Sequence, residues 1–178
     1  MNVFVPGRIV RRGLWFVRRF ILRLFLFLRA LVFDDDSKIR ALLKEVLEER
    51  GYEVFEFPTP ALCPLYQRPL CECPLDRQCA DLIISDVAMP DVTGIEFIEA
   101  QLRKGCRVEH IALMSGDWSE AEIMLAKRRG CMVFHKPFTL DEIEAWLDSC
   151  EYEIDPEREL SDWMPETKKN ESNEGDNA

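Results

Sequence analysis

Three carboxylates (Asp34, Asp35 and Asp86), the hydroxyl of Ser115 and the amine of Lys136 each stand at the end of a short apolar run, although about a hundred residues separate the first from the last. Carboxylates that converge in one shallow pocket repel each other unless a cation neutralises them, and a ligand set made only of oxygens favours a hard ion such as Mg²⁺. An amine and a hydroxyl beside them suit a phosphoryl group, whose charged oxygens need donors and counter-charge. Together these residues would support Mg²⁺-dependent phosphoryl transfer with a carboxylate as the acceptor. The neighbouring Asp36 reads differently, as the cap of the helix that follows it.

For that chemistry the five side chains must meet at one edge of a sheet. The hydrophobic periodicity between residues 29 and 150 alternates between strand and helix. Arg29 to Phe33 is a short apolar run. Ile39, Leu42, Leu43, Val46 and Leu47 follow at helical spacing, and Gly51 stops that helix. Tyr52 to Phe57 alternates as a strand, and Asp81 to Asp86 is compact and apolar, as a strand buried on both faces would be. Ile95 to Leu102 fits a helix, Ile111 to Met114 a strand, Glu120 to Arg129 a helix, and Met132 to His135 a last strand. Ser119 with Glu122 and Thr139 with Glu142 have capping-box spacing. The final helix is expected to turn Leu140, Ile143, Trp146 and Leu147 inward. The order is βαβ throughout, so the expected fold is α/β, a doubly wound parallel sheet of five strands. In such a sheet, ligands bind outside the carboxyl ends of the strands, where all five polar residues fall.

Length and charge bound the rest. The chain has 178 residues, 47% of them hydrophobic and 31% charged, which excludes a wholly disordered, collagen-like or disulfide-scaffold protein. The formal charge of −10 hides a split: residues 1–30 carry seven Arg and no acid, while residues 151–178 hold ten acids against three bases. Residues 1–28 form a basic, apolar extension. As a helix, it would gather six of its arginines into an arc of roughly 140°. Its longest charge-free run between Arg12 and Arg29 is five residues, too short for a membrane span, and the arginines also break up any signal-peptide core. It reads either as an amphipathic helix contacting an anionic membrane surface, as translated sequence upstream of the true start, or as a partner-binding segment. Residues 151–178 read as an acidic tail, disordered over most of its length.

One crossover breaks the pattern. Residues 58–80, where a helix is expected, hold five of the ten prolines and four of the seven cysteines. Prolines at that density interrupt any long helix, so this insertion reads as a rigid excursion with one or two helical turns at most. Cys63, Cys71, Cys73 and Cys79 offer four thiolates that could hold Zn²⁺ or an iron–sulfur cluster. A redox-active pair and inert thiols are the competing readings. Cys106, Cys131 and Cys150 read as structural. His110 and His135 have no evident partner, and Trp118, Trp146 and Trp163 read as packing residues.

Four blocks carry a resemblance: Leu31-Val-Phe-Asp-Asp-Asp-Ser-Lys-Ile-Arg40, Asp81-Leu-Ile-Ile-Ser-Asp-Val-Ala-Met-Pro-Asp-Val-Thr-Gly94, Ala112-Leu-Met-Ser-Gly116 and His135-Lys-Pro-Phe138. In order and spacing they resemble the receiver domain of two-component response regulators, over about residues 29–150. The resemblance implies the (βα)₅ flavodoxin-like fold and a phosphoacceptor that is not a turnover enzyme. Asp86 would take a phosphoryl group from a histidine kinase or phosphotransfer protein. Asp34, Asp35, Asp86 and the backbone carbonyl of Ala88 would hold Mg²⁺, while Ser115 and Lys136 would bind phosphoryl oxygens, with a cis bond before Pro137. Gly94 would supply a turn of positive φ. The face of the fourth helix and fifth strand would then change its binding to a downstream protein, in the cytoplasm, where disulfides are rarely stable. One departure is Val133, where many receivers have an aromatic residue, with Phe134 beside it. Ala88 and Asp117 would flank the path of an attacking water. The acidic core and tail, with no basic recognition helix, argue against direct DNA binding, and residues 151–178 are too few and too polar for an output module. Two alternatives stay open. Asp34-x-Asp36 with a downstream Ser and Lys also resembles haloacid-dehalogenase-like phosphatases, and a pseudo-receiver would sense metal or redox state through its cysteines without being phosphorylated.

Overall fold

The computed structural model describes residues 27–71, 73 and 77–163. Most of the basic extension and residues 164–178 lie outside the described residues, so the readings of those segments are not addressed by it. Five strands form one parallel sheet: β1 (Leu28–Phe33), β2 (Tyr52–Phe57), β4 (Leu82–Asp86), β5 (His110–Ser115) and β6 (Met132–His135). They are ordered β2-β1-β4-β5-β6. The chain leaves β1 toward one edge and returns on its other side as β4. The strand order therefore reverses between β1 and β4, and their carboxyl ends border the crevice where an open α/β sheet binds ligands.

Alternation along the strands sorts the core into two layers. Leu28, Ala30 and Val32 of β1 join Leu43 and Leu47 of α1 (Ser37–Glu49) and Ile143, Trp146 and Leu147 of α5 (Leu140–Glu153). Leu31 and Phe33 point the other way, to Phe97 and Ile98 of α3 (Gly94–Arg103) and Ala126 of α4 (Glu120–Arg128). The inner face of α5 needs one correction: Leu140 is exposed and Cys150 is buried in its place, because the stripe runs 143, 146, 147, 150 and leaves the first turn beyond the sheet. Gly51, at φ +88°, ends α1 with its N–H bonded to Glu48 O. All three helices after β4 open with capping boxes. Two have the expected pairs; the third is Thr93 with Glu96 at α3, which has the same spacing and was not expected.

The crossover from β2 to β4 is irregular, as the prolines require. It holds a 3₁₀ turn (Pro60–Leu62), one turn of helix, α2 (Pro64–Gln67), and the two-residue β3 (Arg77–Gln78). Of the tail expected to be mostly disordered, residues 151–163 are placed against the domain. α5 runs to Glu153, Ile154 is buried, and β7 (Glu159–Leu160) pairs in parallel with β3, after which Trp163 is buried. Lone apolar residues such as Ile154 and Trp163 show no periodicity, yet each fills a place in the core. Trp163 stacks edge-on against Phe55 and donates from its indole N–H to Cys79 O at 2.7 Å. Among the described residues no helix is long and apolar enough to cross a membrane.

Candidate functional site

The carboxyl ends of β1 and β4 bring Asp34 and Asp86 together, and the end of β6 delivers Lys136 between them. Lys136 Nζ lies 2.7 Å from Asp34 Oδ2 and 2.6 Å from Asp86 Oδ1. Asp34 is fully buried, Asp86 nearly so, and Asp35 is exposed at the rim. One carboxylate oxygen from each of the three lies within 4.8 Å of the others.

Each side chain is held by local structure. Asp34 Oδ1 accepts from Asp36 N–H at 2.9 Å, and Arg40, one turn into α1, donates from Nη1 to Asp34 O at 2.7 Å. Nothing in the spacing of Arg40 marks it as a site residue; its place on the first helical turn is what brings it there. Asp36 Oδ1 accepts from Lys38 N–H and caps α1, as expected, so its carboxylate is turned to the helix. Lys136 N–H donates to Ser115 O at 2.8 Å, which keeps the ends of β5 and β6 in step. Ser115 is buried at the end of β5; its hydroxyl donates to Asp117 O at 3.2 Å and accepts from Asp117 N–H. The Lys136–Pro137 bond is cis.

Gly94 calls for a correction. It does not have positive φ; in this loop that conformation falls to Asp91, at φ 68°. Gly94 is required for a different reason: a Cβ there would lie 2.1 Å from Asp86 O and 2.8 Å from Ser85 Oγ. The first turn of α3 packs directly on the backbone of the carboxylate-bearing strand end, with Gly94 N–H bonded to Val87 O at 3.0 Å. The histidines are not without neighbours either. His110 Nδ1 is 3.9 Å from Glu153, and the His135 ring meets Trp118 edge-on.

Burial pushes the Asp34 carboxyl up, and the nearby Asp86 charge adds to this, against the pull of Lys136 and the Asp36 N–H. Desolvation acts most strongly on Lys136 and lowers it, but its bonds to Asp34 and Asp86 together outweigh that and leave it raised. Three carboxylates against the one ammonium of Lys136 leave the site with more negative charge than that lysine balances. Three convergent oxygen donors with that excess fit a hard divalent cation.

The cysteines arrange themselves otherwise than expected. Cys71, Cys79 and Cys106 bring their sulfurs within 4.8 Å of one another. Cys73 Sγ is 3.0 Å from Cys71 Sγ. Cys63 is not among the converging sulfurs; it is buried at the start of α2, beside Leu65 in the core.

A protein-family model described as the response regulator receiver domain matches residues 30–148. The chain is 34% identical over 117 residues to the KDP operon transcriptional regulatory protein KdpE of Escherichia coli, covering 66% of this chain and 48% of that protein. It is 29% identical over 118 residues to the sporulation initiation phosphotransferase F of Bacillus subtilis, covering 65% of this chain and 86% of that one. The chain spans about half the length of the KDP regulator. Among solved structures, the non-phosphorylated HemR receiver domain of Leptospira biflexa superposes with a TM-score of 0.60 at 25% identity, over 72% of this chain and 98% of its own. The chemotaxis protein CheY4 of Vibrio cholerae superposes at 0.54 with 26% identity, over 70% and 98%.

Proposed function

The chain belongs to the response regulator receiver domain family of two-component phosphorelay signalling, and from that premise we propose that Asp86 is the phosphoacceptor. The observation that carries this is Lys136 bridging Asp34 and Asp86 at the strand-order switch point. The donor is a phosphohistidine of a histidine kinase or phosphotransfer protein. An Asp86 oxygen attacks phosphorus, the P–N bond breaks, and the histidine nitrogen leaves with its electron pair. Asp34, Asp35, Asp86 and the carbonyl of Ala88 would hold Mg²⁺, which when bound supplies counter-charge to the phosphoryl oxygens.

The chain's own side chains do the positioning. Lys136 is held by two carboxylates and can turn from them to a phosphoryl oxygen as negative charge arrives on Asp86. The Ser115 hydroxyl, bonded to the backbone of Asp117 two residues on, can exchange that weak contact for a phosphoryl oxygen. That exchange would pull on the end of β5 and, through the Lys136 N–H to Ser115 O bond, on β6. Met124 of α4, Met132 of β6 and Leu140 of α5 are exposed, and such apolar side chains suit contact with a protein partner. The sporulation phosphotransferase of Bacillus subtilis, similar over most of its length, is in keeping with phosphoryl transfer through this domain.

The test is covalent trapping on the full chain with radiolabelled acetyl phosphate and Mg²⁺. Label should appear on the wild type and vanish in Asp86→Asn. Label lost in Asp34→Asn but kept in Asp86→Asn would overturn this reading in favour of a phosphatase-type nucleophile at Asp34.

A further inference from the structure

Four thiols come together where the irregular crossover meets the loop after α3. Cys71 is anchored there by its N–H, which donates to Lys104 O at 2.9 Å, and Cys106 by its own, which donates to Gln101 O at 3.0 Å. Cys79 follows β3, and its carbonyl accepts from Trp163. Cys79 and Cys106 are 27 residues apart in sequence, with their sulfurs 3.8 Å apart. Cys73 Sγ lies 3.0 Å from Cys71 Sγ. Cys79 is buried and the other three are half-buried, so the cluster is sheltered but reachable from solvent.

We propose that Cys71, Cys73, Cys79 and Cys106 form a mononuclear zinc site that fastens the crossover to the loop after α3. Tetrahedral zinc with Zn–S bonds of about 2.3 Å holds its sulfurs about 3.8 Å apart, the separation found between Cys79 and Cys106. In a [4Fe–4S] cluster each cysteine sits on its own iron, and in a [2Fe–2S] cluster two of the four sit on the second iron, so neither cluster would hold Cys71, Cys79 and Cys106 all within 4.8 Å of one another. Thiols gathered this closely lose their protons to a soft divalent cation when it binds.

The fold explains what the site is for. In a doubly wound sheet a crossover helix normally covers this part of the sheet, and here the described crossover offers one 3₁₀ turn and one helical turn. A metal cross-link supplies the rigidity that helical hydrogen bonds would otherwise give. Because β3 pairs with β7, and Trp163 bonds to Cys79, the same link also secures the segment beyond α5. The cysteines precede β4 and β5, whereas Asp86 ends β4. The two sites therefore occupy opposite ends of the sheet, at least about 13 Å apart along the strand, and the zinc site stands independently of the phosphoacceptor assignment.

The experiment is elemental analysis of the full chain purified without chelators from zinc-supplemented cells, followed by cobalt replacement. About one zinc per chain is expected, and cobalt should show the intense visible bands of a tetrahedral thiolate site. Cys106→Ser should weaken metal retention against a chromophoric chelator by about tenfold or more, Cys106→His should restore part of it, and Cys63→Ser should leave it unchanged. A wild-type chain that holds no stoichiometric metal, or that holds iron, overturns the proposal. So does a metal whose retention depends on Cys63 and not on Cys106.

Discussion

Arg158 forks onto Asp81, with Nε 2.7 Å from Oδ1 and Nη2 2.6 Å from Oδ2. The family match ends at residue 148, so this pair ties a residue beyond the receiver segment to the mouth of β4. Asp81 is 1% exposed and also accepts from Arg29 N–H at 2.8 Å. Arg29 in turn bonds Glu53 and the carbonyls of Cys79 and Ser161. A chain of charged hydrogen bonds thus closes the amino end of the sheet, opposite the phosphoacceptor candidate.

Removing Arg158 leaves Asp81 buried beside one remaining backbone donor. Arg158→Ala is expected to cost about 3 kcal/mol in urea denaturation, and Asp81→Asn in that background to recover part of it. A loss below about 1 kcal/mol would show the pair to be no better than a surface ion pair.

Gly94→Ala drives a methyl group into Asp86 O and is expected to cost about 3 kcal/mol or more, since the obstacle is backbone and cannot rotate away. Gly105 and Gly130 have open space around a Cβ but positive φ, so alanine there should cost about 1 to 2 kcal/mol. Equal losses at all three positions would remove the steric account of Gly94.

Lys136→Ala leaves Asp34 and Asp86 facing each other without a cation. In chelator the variant is expected to lose about 3 kcal/mol, and Mg²⁺ should return part of that loss as binding energy. Thermal unfolding with and without Mg²⁺ checks it; no differential rescue would count against a cation shared by these carboxylates.

Three capping-box glutamates titrate below their ordinary value of 4.5. Glu96 and Glu142 are lowered chiefly by the backbone N–H of Thr93 and Thr139, and Glu122 by the Ser119 hydroxyl. A lowered folded pKa means stability that is fully present above about pH 4.5 and lost as pH falls through the folded values. The stability gap between wild type and the triple Glu→Gln variant should therefore narrow between pH 6 and pH 3, as followed by circular dichroism.

Burial pushes the Cys131 thiol up to about 11 and the Cys150 thiol up to about 12. In the native protein both should resist iodoacetamide near pH 8 and react only at the rate of global unfolding. Mass spectrometry of alkylated peptides separates them from any exposed thiol.

The division between sequence and structure follows from range. Strand and helix identity, two of the three capping boxes, the Asp36 cap and the convergence of Asp34, Asp35, Asp86 and Lys136 rest on local pattern plus one topological rule, so they were legible in the linear chain. Once the apolar runs are parallel strands, their carboxyl ends must share an edge. What only the tertiary structure decided depends on which distant segments approach. Cys106 joins the thiols and Cys63 does not, because the α3–β5 loop comes to Cys79 while Cys63 turns into the core. Gly94 is set by its distance to Asp86 O and not by its own dihedral angle. Residues 154–163 take their order from Asp81, Phe55 and β3, partners 77 or more residues away, and no periodicity within an acidic segment announces such contacts.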